Sequence, residues 1–183
     1  ISGATVTWAT SDAAVATVSS AGLVTSVAGG TAMITATSGA ASATTSVTVE
    51  VWASISAGAY HTVGITTSGD AYAWGYNYNG ELGDGTTTDR ATPVLVSGGH
   101  KWASVEADRY HTVGLTTSGV AYAWGGNYYG QLGDGTTTNR LTPVLVSGQH
   151  TWASISAGYY HTVGLTTSGA AYAWGRNNYG QLG

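Results

Sequence analysis

The sixteen residues 60–75, YHTVGITTSGDAYAWG, come back as 110–125 and again as 160–175. Their first half alternates, with His61, Val63 and Ile65 on one face and Tyr60, Thr62 and Thr66 on the other, the period-two pattern of a strand. The second half does the same, Ala71 and Ala73 opposing Tyr72 and Trp74. Between the halves, Thr67-Ser68-Gly69 supplies a glycine able to take positive φ beside a bulge. A β-hairpin repeated in tandem is therefore the unit from which the chain is built.

Read from Trp52, Trp102 and Trp152, the period is 50 residues, and 37 of the 50 positions in 52–101 equal their partners in 102–151. Copies this similar point to recent duplication, so identity between them says little about which residues are needed. Each unit offers four extended runs, in the first copy 52–57, 61–66, 71–74 and 93–96, and four strands per unit of this length is a β-propeller blade. Kelch units repeat a double glycine, whereas Gly98-Gly99 becomes Gly148-Gln149 here. The recurring A-G-x-Y-H-T-V-G-[IL]-T, A-Y-A-W-G, N-x-x-G-[EQ]-L-G and G-D-G-T-T-T-x-R-x-T-P-V resemble regulator of chromosome condensation repeats. That resemblance implies a seven-bladed propeller, of which units 52–101, 102–151 and the partial 152–183 supply about two and a half blades. Such a set cannot close a ring and leaves one sheet edge and one blade face uncovered.

Ahead of the repeats, residues 1–51 read as short strands at 6–10, 15–19, 23–27, 31–37 and 45–51, separated by Ser20-Ala21-Gly22, Ala28-Gly29-Gly30 and Ser38-Gly39. No 3.6-residue period or helix-capping signature develops anywhere, so the expected fold class is all-β: a sandwich followed by an incomplete propeller. The wording VTWATSDAAVATVSSAGLVTSVAGGTAMITATSG resembles the bacterial immunoglobulin-like domain, group 2. A sandwich of that kind usually has about seven strands, so five imply an N-terminally truncated domain. The resemblance implies an extracellular or cell-surface spacer of bacterial origin, with no catalytic residues to carry over. Residues 47–51 run directly into Trp52 without Pro, Gly or a charged run, which predicts a stiff joint.

Charge narrows the function. Only 8% of residues are charged, the formal net charge is −4, and five Lys and Arg are too few to neutralise a track of phosphates, which argues against nucleic acid. There is no Cys, and no apolar run approaches the roughly 20 residues that span a bilayer. Trp52, Tyr72, Trp74 and their copies recur at fixed strand positions and read as packing anchors, and Leu82 and Leu132 as plugs beneath the long connection. His61, His111 and His161 hold one position in three blades, too spread around an axis for a zinc centre, and read as hydrogen-bonded structural groups. His100 and His150 read as polar surface. The Gly83-Asp84-Gly85-Thr86 loop lacks the Lys and helix of a phosphate loop and the oxygen count of a calcium loop, which leaves Asx and Thr turn-making. Glu106 and Asp108 share a strand face, but with Arg109 beside them they read as a surface charge cluster rather than an acid and base. No catalytic residue, metal or cofactor is expected.

Binding remains. The copies differ most after the A-Y-A-W-G strand and before the Y-H-T strand, placing Tyr76, Tyr78, Arg109, Tyr128, Tyr129, Tyr159, Arg176 and Tyr179 at loop tips on a repeating frame. Tyr and Arg are enriched at binding hot spots, and Tyr with Asn suits sugar faces and hydroxyls. The expected partner is a protein or a glycan. The family's namesake implies guanine nucleotide exchange on a small GTPase, acting through a wedge inserted in one blade. Two equal spacings of 50 residues leave no room for such an insertion, which argues against a GTPase partner. A propeller that inhibits an enzyme by capping it is a further alternative.

Overall fold

The computed structural model describes residues 5–183, and contacts divide the chain into two compact units, Ile1–Val51 and Trp52–Gly183. All regular structure described is β. In the first unit, β1 (Thr7–Thr10), β4 (Gly30–Ser38) and β5 (Ala41–Val49) form one antiparallel sheet in the order β1-β4-β5. A hairpin of β2 (Ala16–Val18) and β3 (Val24–Ser26) forms the other. The last strand begins at Ala41, not at residue 45, because Gly39 takes φ +60° and turns the chain in two residues, extending the pairing as far as Ser38 opposite Ala41. The core is small: Val15, Ala16 and Ala32, with Val24 and Val49 packed on it. Trp8 lies over Gly22, where an added Cβ would come 2.8 Å from the indole.

The second unit is a series of antiparallel meanders. The first comprises β6 (Trp52–Ala57), β7 (His61–Thr66), β8 (Ala71–Gly75) and β9 (Arg90–Leu95) in that order. The next repeats it with β10 (Trp102–Ala107), β11 (His111–Thr116), β12 (Ala121–Gly125) and β13 (Arg140–Leu145). A three-stranded sheet follows, β14 (Trp152–Gly158), β15 (His161–Thr166) and β16 (Ala171–Gly175). These are propeller blades, and they do not close a ring. The fourth strand starts at residue 90, earlier than its apolar run predicts, because Arg90 already pairs with Gly75. Pro93 fits there since β9 pairs only with β8, leaving its outer side without a ladder to break. Register shifts recur in every blade between Trp52 and Ser54 and their copies, and in the first two blades also between Ala73 and Gly75 and between Ala123 and Gly125.

Alternation along the strands gives each blade two different apolar faces. Val63, Ile65, Ala71 and Ala73, with Leu82 and Val96, pack against Trp102, Val105 and Trp124 of the second blade. The same layer is rebuilt one blade on, where Val113, Leu115, Ala121, Ala123, Leu132 and Val146 meet Trp152, Ile155 and Trp174. The Trp and Leu positions thus act as packing anchors and plugs. Gly114 makes the close fit possible, because a Cβ there would lie 2.5 Å from the Trp102 ring.

Candidate binding face

In an antiparallel meander the β6–β7 turn and the β8–β9 connection lie at the same end of the blade. That end carries the long loops, and one buried side chain organises each. Asn77 donates through Nδ2 to the carbonyls of Thr86 and Thr88, both at 3.1 Å, while its Oδ1 accepts the Leu82 N–H at 2.9 Å and its own N–H goes to Asp89 Oδ1 at 2.8 Å. Asp84 caps the turn, accepting from Thr86 N at 2.9 Å and Oγ1 at 2.7 Å, and is gripped by Arg90 at 2.8 Å. Burial alone would raise the Asp84 carboxyl, but hydrogen bonds from Thr86 and Arg90 outweigh it and hold the group below the usual carboxylate range. Asn127, Asp134, Thr136 and Arg140 repeat the arrangement. The turn-making reading of this loop holds. What sequence reasoning missed is that Arg90 and Arg140 are its clamps.

On this frame the tyrosines and arginines converge. The Arg109 guanidinium lies over the rings of Tyr60, Tyr110 and Tyr159, at 5.6, 5.1 and 4.9 Å, and donates to the Tyr159 hydroxyl. Arg176 lies over Tyr129, Tyr160 and Tyr179 at 5.3, 5.5 and 5.8 Å. Tyr160 joins the two groups, stacking on Tyr110 at 5.2 Å and meeting Tyr129 edge-on at 5.0 Å. Burial, followed by the bond to Tyr110, pushes its hydroxyl up to about 12. At the other end Tyr76 stacks on Tyr78 at 6.4 Å and meets Tyr60 at 6.1 Å. The result is a continuous aromatic track across three blades.

Seven of the eight residues singled out from sequence lie in this track. Tyr128 does not: its hydroxyl donates to Asn79 Oδ1 at 2.8 Å, pinning one blade's loop to the next. Tyr60, Tyr110 and Tyr160 were missed because attention to positions that differ between copies passes over those that stay the same. Their signal was the unchanged Tyr before each His-Thr-Val.

Two further expectations are corrected. Glu106 is no surface charge: its Oε2 accepts the Ala157 N–H of the next blade at 3.3 Å, as Ser56 Oγ accepts that of Ala107 at 3.0 Å. Asp108 is half-buried, which raises its carboxyl, and Arg109 turns its side chain to the tyrosines instead of pairing with either acid. His100 and His150 are packed rather than merely polar, with rings 4.1 and 4.4 Å from those of Tyr122 and Tyr172. The inner histidines are structural. Thr112 Oγ1 donates to the Glu81 carbonyl at 2.9 Å, so His61 Nε2, 2.8 Å away, must carry the proton and donate to Thr112. His111 and Thr162 repeat the pair at 3.1 Å. Among the described residues, no cluster of three or more His, Cys, Asp or Glu is placed to hold a metal, and no helix is long and apolar enough to cross a membrane.

Blades of this topology, with loops fixed from within and an aromatic face at one end, define a β-propeller repeat protein. The chain belongs to the regulator of chromosome condensation (RCC1) repeat family, whose sequence profiles match residues 68–115 and 118–165, and residues 52–81, 103–131 and 152–181. Residues 2–49 match the bacterial Ig-like domain (group 2). Human E3 ubiquitin-protein ligase HERC2 is 48% identical over 44 residues, 24% of this chain and 1% of its own. The ultraviolet-B receptor UVR8 of Arabidopsis thaliana is 47% identical over 49 residues, 26% of this chain and 11% of its own. Among solved structures, human WBSCR16 superposes with a TM-score of 0.68 at 17% identity, covering 84% of this chain and 46% of that one. Prp20p of Saccharomyces cerevisiae, described with its binding to Gsp1p and histones, gives 0.61 at 24%, covering 72% and 34%. The matches thus span less than half of each relative's length, and the structural ones speak to fold alone.

Proposed function

We propose that this chain is a non-catalytic binding and display module of a bacterial cell surface, in which the propeller's loop-tip face grips a protein or glycan and the immunoglobulin-like unit serves as spacer. The observation that carries the reading is the aromatic track. Its frame, from Asn77 to Arg90 and from Asn127 to Arg140, is held by near-identical internal bonds, while the side chains it presents change from blade to blade. A constant frame with varied tips is how a repeat fold makes a non-repeating recognition surface. The surface location is supported by the match of residues 2–49 to the bacterial Ig-like domain. Absence of catalysis is supported by Glu106, whose carboxylate is spent on the neighbouring blade. A small GTPase or histone partner is the alternative that the likeness to Prp20p brings. The equal spacing of Trp52, Trp102 and Trp152 tells against the exchange reading.

A glycan array and a pull-down from surface-protein extracts, both with the full chain, test this. Tyr78→Ala and Tyr129→Ala should each weaken the captured ligand by more than about 1 kcal/mol, as hot-spot residues do. Tyr128→Ala should act through the loop contact with Asn79. Ligand binding untouched by any of the three, with the fold intact, would move the site elsewhere.

A further inference from the structure

The aromatic track is not uniform. Between the first two blades it opens into a cleft of about 420 Å³ walled by Tyr60, Tyr76 and Tyr110. One blade further on the walls differ, because Gly126 stands where Tyr76 does and Tyr110 stacks directly on Tyr160. Beside the opening sits Arg109, found only in this copy, since Ala59 and Tyr159 occupy the same place in the others.

That arginine has aromatic neighbours and no carboxylate partner. Among the described residues, Arg90, Lys101 and Arg140 each pair with an aspartate, at 2.8, 2.7 and 2.7 Å. Arg109 forms no such pair: one terminal nitrogen donates to the Tyr159 hydroxyl and its Nε is buried without an acceptor, which leaves the rest of the fork without a carboxylate. Two of the carboxylates nearby are already engaged. Glu81 accepts from the N–H and side-chain amide of Asn79 at 2.8 and 2.7 Å, and Asp89 holds the Asn77 N–H. Asp108 forms no ion pair with Arg109, and its Oδ2 is buried without a hydrogen-bond partner. The opening therefore presents flat aromatic walls and phenol hydroxyls, with one planar cation that has no carboxylate partner at its edge. Aromatic faces stack on the C–H faces of a pyranose, and a guanidinium fork matches a carboxylate in plane.

Resting on the reading of this face as a recognition surface, we propose that the Tyr60–Tyr76–Tyr110 opening binds a carboxylate-bearing sugar residue, a uronic or sialic acid, with the tyrosines stacking on the ring and Arg109 taking the carboxylate. The unit recognised is a single acidic pyranose within a longer glycan. Neutral sugars share the stacking and lack the ion pair.

Calorimetry with the full chain tests it, using two matched pairs of probes: oligogalacturonate against its methyl ester, and sialyllactose against lactose. At least one acid should bind about tenfold more tightly than its neutral partner, the factor a charge-assisted hydrogen bond confers. Arg109→Gln should abolish that preference, weakening the acidic probe by more than it weakens the neutral one, and Tyr76→Ala should weaken both members of the pair. Circular dichroism of each variant confirms that the blades persist. Equal affinity within both pairs, or a preference that survives Arg109→Gln, overturns the acidic-sugar assignment while the recognition face stands. No binding of any probe also overturns it, and the wider reading then rests on whether surface-protein capture is lost in Tyr78→Ala.

Discussion

His61 and His111 are the residues whose surroundings have the clearest consequence in solution. Each is enclosed between blades and donates from Nε2 to a threonine hydroxyl, leaving Nδ1 buried without a partner. Charging either ring would place a cation in that dry layer, so burial lowers His61 to about 4 and His111 to about 3. The unfolded chain, with histidines titrating near 6.5, then binds more protons than the folded one between that pH and the folded values. Stability is full above about pH 6.5 and falls as pH drops toward 4, by something on the order of 3 kcal/mol per ring. Urea unfolding at a series of pH values should show this slope. His111→Gln, which keeps a donor and cannot titrate, should remove roughly half of it, whereas an unchanged slope would place the acid sensitivity elsewhere.

Among the elements, the contact of a strand glycine with a tryptophan of the neighbouring strand sets how closely a blade packs. Gly64, Gly114 and Gly164 sit under Trp52, Trp102 and Trp152, and a Cβ at Gly114 would meet the buried Trp102 ring at 2.5 Å. Gly114→Ala must push that ring into the first blade, which should cost about 1–3 kcal/mol, the usual range for overpacking. Gly64→Ala should cost less, since Trp52 is partly exposed and has room to give. Chemical denaturation of the two variants side by side checks the order. The blade itself was legible because alternation, turn glycines and the 50-residue period agree on one answer. The start of β9 was not, since Arg90 joins the sheet through its backbone and an apolar count cannot see it. For the candidate face, variation between copies pointed to Arg109 and Tyr76, whereas Tyr60 and Tyr110 emerged only when folding set adjacent turns side by side. Tyr128 shows the opposite error: an exposed aromatic at a loop tip whose hydroxyl is committed to Asn79.

Across the propeller unit, the two outermost faces carry the halves of the interface that the inner blades make with one another. Trp52 and Ile55 are 37% and 57% exposed, where Trp102 and Val105 are 3% and 6%. At the far side Val163 and Leu165 are 40% and 42% exposed, where Val113 and Leu115 are 0% and 7%. The buried residues are the ones that meet between the first two blades and between the second and third. One outer face is therefore built to receive the other, and because the two differ, the contact between copies is head-to-tail. A chain of these residues should show a mass that rises with concentration in sedimentation velocity. Leu165→Glu and Trp52→Glu should each halt the growth by placing a charge where apolar surface must be buried. Mixed in equal amounts, the two variants should stop at a heterodimer, each supplying the one face the other retains. A monomer at all concentrations, melting cooperatively in the range of about 45–65 °C common to mesophilic domains, would show instead that these blades are stable with both faces open to water.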